Sequence, residues 1–368
     1  MKIVKIDASW YQAPFARPIA NSTFTYSASN KVVVRIHTDD GLVGTGWTNG
    51  TGLAMAIAQD MGERIVGRDP LDRAAALAPL ADDKVYGRGG LSAKSRSAID
   101  IALWDIAGQA GGMSLHRMLG AHRDRVPAYV AGGYYAEGKD LGSLADEALA
   151  ALALGARAFK MKIGLADPQR DLARVAAVRS AVGPDVALLV DANGGYDRAT
   201  AQLMADGLRE LDIAWFEEPI DSRDVEGQAA LRASAGIPIA SGESEHSLHE
   251  MRYAIRAHAM DVLNADAQCV DGITGWVAAS RMAAEEGIRV APHGDQELHV
   301  HLAAAVSHGT FVEYYQGVNA LREEMFLERL ELNDDGTVSP PDRPGLGFVF
   351  DEERLARFRR GALETRTT

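Results

Sequence analysis

An α+β N-terminal unit followed by a (β/α)7β barrel is the fold class this sequence predicts, from three observations. Beyond Val126, short apolar runs alternate with helical stretches. Three of those runs end on carboxylates at an even interval: Asp191, Glu217 and Glu243, with 217 − 191 = 26 and 243 − 217 = 26. That is about one strand, one helix and two loops. Before residue 125 the order is different, with alternating strand-like segments first and helices after them.

In chain order, Lys2 to Trp10 alternates like a strand, and Tyr11 to Asn30 reads as a polar loop. Residues 31–47 read as a β-hairpin turning at Thr38-Asp39-Asp40-Gly41. Three helical stretches follow. The clearest runs from Leu91 to Gln109, with Ile99, Leu103 and Ile106 on one face and Gly111-Gly112 as its stop. Strands are then expected at 126–132, 158–163, 187–192, 214–217, 238–242, 261–266, 289–292 and 311–314. Helices separate them, among them Leu144 to Leu154, Pro168 to Val182 and Gly272 to Glu286. Eight strands with seven helices between them fit a closed barrel. The expected division is 1–125, 126–316 and a tail, 317–368, that carries Pro340-Pro341 and Pro344-Gly345 and packs back on the first unit.

The 368 residues suffice for a large core, and an apolar content of 47% is ordinary for a globular chain. A net charge of −13 argues against nucleic acid and anionic membrane as partners. An acidic substrate would need a local metal or lysine to invert that field. Cys269 is the only cysteine, so a reducing compartment fits. No apolar run approaches a membrane span and the first residues lack a signal-peptide core, so a soluble cytoplasmic protein is expected.

Parallel strands joined by right-handed crossovers gather their C-terminal ends at one face. Asp191, Glu217 and Glu243 would then form a hard oxygen site suited to Mg²⁺. Each alone would read as a helix N-cap. Three at successive strand ends favour the metal. Lys160 and Lys162 are two apart on the second strand, so both face the mouth while Met161 packs outward. Paired ammonium groups beside a cation lower each other's pKa, which makes a lysine usable as a base. Taken alone, the pair would read as solvated surface lysines. Glu218 is expected to point away from Glu217, and Asn193 to share the face of Asp191 and contact substrate. Asp266 ends the sixth strand and His293 the seventh, a pairing that fixes the imidazole tautomer and leaves one nitrogen for proton transfer. Glu313, ending the eighth, would donate to a developing oxyanion if protonated, or orient another group. The histidine clusters His246/His249 and His299/His301 read as structural or solvent-facing.

The set Lys160-Met161-Lys162, Asp191, Glu217, Glu243, Asp266, His293 and Glu313 resembles the mandelate racemase group of the enolase superfamily. Lesser similarities are Gly272-Ile273-Thr274-Gly275-Trp276 and Ile99 to Asp105. The resemblance implies an α+β N-terminal capping domain plus a (β/α)7β modified TIM barrel. It implies Mg²⁺ on the three carboxylates and an enediolate formed by proton removal α to a carboxylate. Lys162 resembles the base on one face, and His293 with Asp266 the acid/base on the other. Lys160 resembles the carboxylate-binding group and Glu313 the electrophilic acid. An even-numbered homo-oligomer, often an octamer, is implied too. Residues 261–280 hold no lysine, unlike muconate-cycloisomerase-like members, and Glu243 stands where the glucarate dehydratase group has Asn.

Proton removal leads either to racemisation or to loss of a β-hydroxyl. The loop from Asn21 to Ser27, with Ser22, Thr23, Thr25 and Tyr26, is polar, and Thr48, Asn49 and Thr51 add a second polar loop. Such a lid suits a hydroxylated sugar acid, with Ser22, Tyr26, Asn193 and Lys160 as substrate contacts, although exposed loops are polar in any case. The expected reaction is dehydration of an acid sugar to a 2-keto-3-deoxy acid. The alternatives are a 2-hydroxy-acid racemase or epimerase, a metal-dependent hydrolase and a non-catalytic binding protein.

Overall fold

The computed structural model describes residues 1–81, 83–317 and 319–365. The first sheet is an antiparallel meander of β1 (Ile3–Ala20), β2 (Thr25–Thr38) and β3 (Val43–Thr48). The stretch read as a loop, Tyr11 to Asn30, is therefore mostly a two-stranded ribbon that turns only at 21–24. Beyond Pro14 no β1 residue is fully buried, so no alternation marked the strand. Helices α1 (Gly52–Glu63), α2 (Arg73–Leu77), α3 (Leu91–Gly111) and α4 (Leu115–Met118) follow. Ile99, Leu103 and Ile106 of α3 and Ala54, Ile57 and Met61 of α1 form one core with Ile6, Val34 and Ile36 of the sheet.

The barrel begins with β4 (Val126–Gly132), α5 (Leu141–Ala153), β5 (Ala158–Lys162), α6 (Pro168–Val182) and β6 (Ala187–Asp191). It continues through α7 (Arg198–Arg209), β7 (Ile213–Glu217), α8 (Val225–Ser234), β8 (Ile239–Ser241) and α9 (Leu248–Arg256). It ends with β9 (Val262–Leu263), α10 (Gly272–Glu285), β10 (Arg289–Val290), α11 (Gln296–Ala305) and β11 (Val312–Tyr314). The spatial order is β10-β9-β8-β7-β6-β5-β4-β11. The ring closes where Val290 bridges Gly309, with Thr310 N donating to Val290 O at 2.9 Å.

Tyr129, Ala158, Leu189, Trp215, Ala240, Val262 and Ala291 fill the barrel interior. Phe159, Met161, Leu188, Val190 and Phe216 point outward under the helices. The tail contributes α12 (Ala320–Glu324), β12 (Thr337–Val338), α13 (Glu352–Ala356) and β13 (Arg359–Glu364). β12 pairs with β4 of the barrel and β13 with β1 of the first sheet, so the tail spans both units. Among the described residues, no helix is long and apolar enough to cross a membrane.

Candidate active site

Side chains two apart on a strand face the same way, so the interior apolar residues fix what stands above them at the mouth. Leu189 is followed by Asp191, Trp215 by Glu217, Ala291 by His293, and Ala158 by Lys160 and Lys162. Glu243 breaks that rule, because Ala240 already faces inward. Gly242, at φ +134, re-aims the chain. That φ is one L side chains rarely adopt, and a Cβ there would stand 3.0 Å from the backbone nitrogen of Asn264, so glycine suits the detour. Asp191, Glu217 and Glu243 offer ligand oxygens within 4.8 Å of one another. None of them caps a helix. Asp167, Asp197, Asp224 and Ser247 cap α6, α7, α8 and α9 instead.

Both lysines are buried and both hold the triad. Lys160 Nζ lies 2.7 Å from Glu217, 3.0 Å from Glu313 and 3.7 Å from Asp191, while Lys162 pairs tightly with Asp191. Burial works against both charges, but the carboxylates outweigh it and hold both lysines well above the usual range. Lys160 does lower Lys162, as the pairing predicts, but Asp191 outweighs it. Burial, Asp191, Glu243 and Glu313 push Glu217 up to about 8 in spite of Lys160. Acids so crowded that one is driven toward neutrality fit a resident divalent cation.

His293 Nδ1 lies 3.2 Å from Asp266 Oδ2, and its Nε2 lies 3.1 Å from Glu243 and 3.7 Å from Glu313. Burial opposes its charge, yet these three carboxylates push it up to about 10. Glu313 accepts from Gly294 N at 2.7 Å. Burial alone would raise its pKa, but Lys160, His293 and Lys162 hold it below the usual carboxylate range. Glu313 is thus a carboxylate here, and the protonated form considered from sequence requires that field to weaken.

A cavity of about 450 Å³ opens above this floor, lined by Lys162, Asn193, Glu243 and His293 below and by Phe24, Tyr26, Asn30, Asn49 and Thr51 from the first unit. Asn193, at φ +43, donates from Nδ2 to Glu243 at 3.0 Å. Tyr26 packs edge-on to Tyr134, and burial pushes its phenol up to about 12, so it stays neutral. Ser22 does not line the cavity. Its hydroxyl donates to the carbonyls of Ala192 and Asn193, which fastens the ribbon tip to the barrel rather than meeting substrate. Glu218, expected to turn away, has φ +37 and lies buried in the field of Glu243 and Asp191.

Of the histidines read as structural, His249 is exposed and His301 is buried against Leu346 O. His299 is buried 3.4 Å from Asp266, so a second imidazole touches the dyad's carboxylate. Sequence reasoning also missed Tyr134, Tyr315 and Arg322, which line the cavity. Tyr134 lies just past the end of β4, where the strand-end rule would have found it. Arg322 follows the last barrel strand, β11, and no pattern marks it.

Two family models match the chain. Residues 5–120 match the mandelate racemase / muconate lactonizing enzyme N-terminal domain, and residues 143–354 match the enolase C-terminal domain-like model. The L-talarate/galactarate dehydratase of Salmonella typhimurium is 34% identical over 337 residues, covering 88% of this chain and 81% of that protein. The arabinonate dehydratase of Saccharolobus solfataricus is 34% identical over 87% of this chain and 90% of its own length. The crystal structure of L-talarate dehydratase from Polaromonas sp. JS666, complexed with Mg and L-glucarate, superposes with a TM-score of 0.89 at 34% identity, covering 100% of this chain and 99% of that one.

Proposed function

The chain belongs to the mandelate racemase / muconate lactonizing enzyme family, and from that premise we propose that it is a Mg²⁺-dependent acid sugar dehydratase. It removes the proton α to a carboxylate, passes through an enediolate and expels the β-hydroxyl, leaving a 2-keto-3-deoxy acid. Asp191, Glu217 and Glu243 would hold the ion, which when bound supplies positive charge against the carboxylate as the α-carbon ionises. Lys160, buried against Glu217 and Glu313, binds and polarises that carboxylate. Lys162 takes the proton on its face once Asp191 no longer fixes its charge. His293, oriented by Asp266, gives its proton to the departing hydroxyl. Glu313 holds Lys160 and the Gly294 backbone in place. Asn193 and Tyr26 meet the hydroxyls.

One observation supports this reading above the others. Lys162, on β5, and His293, beyond β10, line one cavity from far sides of the barrel mouth, with the triad between them. A hydrolase or a plain binding site needs no two opposed proton carriers. The same pair could return the proton to the other face, so racemisation of a 2-hydroxy acid is the second reading. The buried free thiol of Cys269 suits a reducing cytoplasm, and light scattering would test the even-numbered oligomer that the family likeness suggests. Incubating the protein with Mg²⁺ and a panel of aldonic and aldaric acids in deuterium oxide tests the chemistry. Keto acid from at least one member is expected. Deuterium at C2 without keto acid moves the conclusion to racemisation, and no exchange with any acid rejects both.

A further inference from the structure

Lys31, on β2 of the first unit, is only 2% exposed, a rare state for a lysine. Its Nζ donates across the boundary between the units, to Asp295 Oδ2 and, at 3.4 Å, to Gln268 Oε1. Asp295 stands two residues past His293, and Gln268 two past Asp266. Strand β3 reaches the same two residues. Trp47 Nε1 donates to Asp295 at 2.9 Å, and the Thr48 hydroxyl donates to the carbonyl of Gln268 at 3.0 Å. Gln268 N donates in turn to Asp266 Oδ1 at 2.8 Å. Each half of the His293/Asp266 pair is thus followed by a residue that the first unit holds.

Asp295 is placed to cap α11, yet its side chain accepts from none of that helix's amides. Its oxygens face Lys31, Trp47 and Arg322 instead. Helix α11 ties the two loops together as well. His299 N donates to Asp295 O at 3.1 Å, and His299 Nε2 accepts from Ala267 N at 3.1 Å. Lys162 has no such link to the first unit. Among the described residues its hydrogen bonds and ion pairs stay in the barrel, with Asp191 on its ammonium and Arg174 Nη2 on its carbonyl. The ribbon tip meets the barrel at Ala192 and Asn193, through Ser22, and not at Lys162.

We propose that Lys31 and Asp295 are positioning residues for His293: docking of the first unit sets the imidazole and its Asp266 partner, while the barrel alone sets Lys162. The role rests on the reading of Lys162 and His293 as opposed proton carriers, but the tie itself can be measured without turnover.

Lys31→Met keeps the reach of the side chain and removes its charge. Amide hydrogen exchange, read by mass spectrometry on the Mg²⁺-loaded protein, should quicken at least about tenfold at 264–270 and 291–297 and stay within about twofold at 158–164. In deuterium oxide, with an acid that exchanges at C2, loss on the His293 face should be about 10- to 100-fold, the scale of a small misplacement. The Lys162 face should keep its rate. Thr48→Val, nearly the same shape, cuts only the bond to Gln268, and it should quicken 264–270 by a smaller factor. It decides the matter if Lys31→Met does not fold. Quickening confined to the two segments upholds the tie even if no acid exchanges, and then only the proton-transfer reading fails. His293→Asn, run alongside, tests that reading separately. Three results overturn the role: equal quickening in all three segments, no quickening in either variant, or equal loss on both faces in Lys31→Met with Mg²⁺ affinity intact.

Discussion

Glu243 reaches the other two carboxylates through the turn at Gly242. Gly242→Ala should leave the protein folded and lower Mg²⁺ affinity roughly 10- to 100-fold, the range seen when support of a ligand is lost, measured by calorimetry. Lys162→Ala and His293→Asn should each lower the rate by about 10²–10⁴ and block C2 exchange on one stereochemical face only. Equal loss on both faces from either change, with Mg²⁺ affinity intact, contradicts the two-base assignment. The positions of Asp191, Glu217 and Lys160 were legible because each stands two residues beyond an inward apolar neighbour on a strand; Lys162 continues the face of Lys160, and His293 stands two beyond Ala291 just past β10. Glu218 was not legible. Its φ of +37 breaks the alternation from which its direction was read, and no residue-type rule announces a left-handed glutamate. The protonation states were illegible too, since they follow from distances between elements far apart in sequence.

Packing of whole elements was legible where one face is buried and the other is not. Helix α6 runs from Pro168 to Val182 as its flanking prolines implied, whereas α3, found from Ile99, Leu103 and Ile106, is buried on nearly every side. The ribbon of β1 and β2 was lost for the converse reason, since its outer half packs on no core and shows no pattern. The fit of β3 against α3 depends on Gly44 and Gly46, where a Cβ would collide with backbone and side-chain atoms of Ala98, Ala102 and Ile106. Gly46→Ala meets main chain that cannot yield, so it should destabilise the protein by about 1–3 kcal/mol or more, read as a lower urea midpoint. Gly41→Ala has open space around it but φ +88, and its smaller penalty should come from backbone strain alone.

At the scale of the molecule, the first unit is tied to the barrel along α3 and α10. Asp100, fully buried there, accepts from Thr274 N at 2.9 Å and Thr274 Oγ1 at 2.6 Å, and burial pushes it up to about 7. Its folded pKa is raised above the unfolded value of 3.8, so the native state binds the extra proton between them. That contribution is complete below the unfolded pKa and is lost as pH rises toward about 7. Relative to wild type, Asp100→Asn should therefore gain thermal stability as pH climbs from about 4 to 7, then run parallel above it. A constant offset across that window would refute the assignment. Chelation should abolish turnover. Returning Mg²⁺ at a hundred times its dissociation constant should restore it and add about 2.7 kcal/mol of stability.

The strand β13 runs along the outer edge of β1, with Thr365 N donating to Ile6 O at 3.0 Å. During synthesis, that edge stays bare until the segment from Arg359 to Glu364 has been made. A naked β-edge on a half-made chain invites neighbours to pair with it. Nascent protein stalled before residue 359 should therefore be the species that clumps and recruits chaperones, although its barrel is already whole.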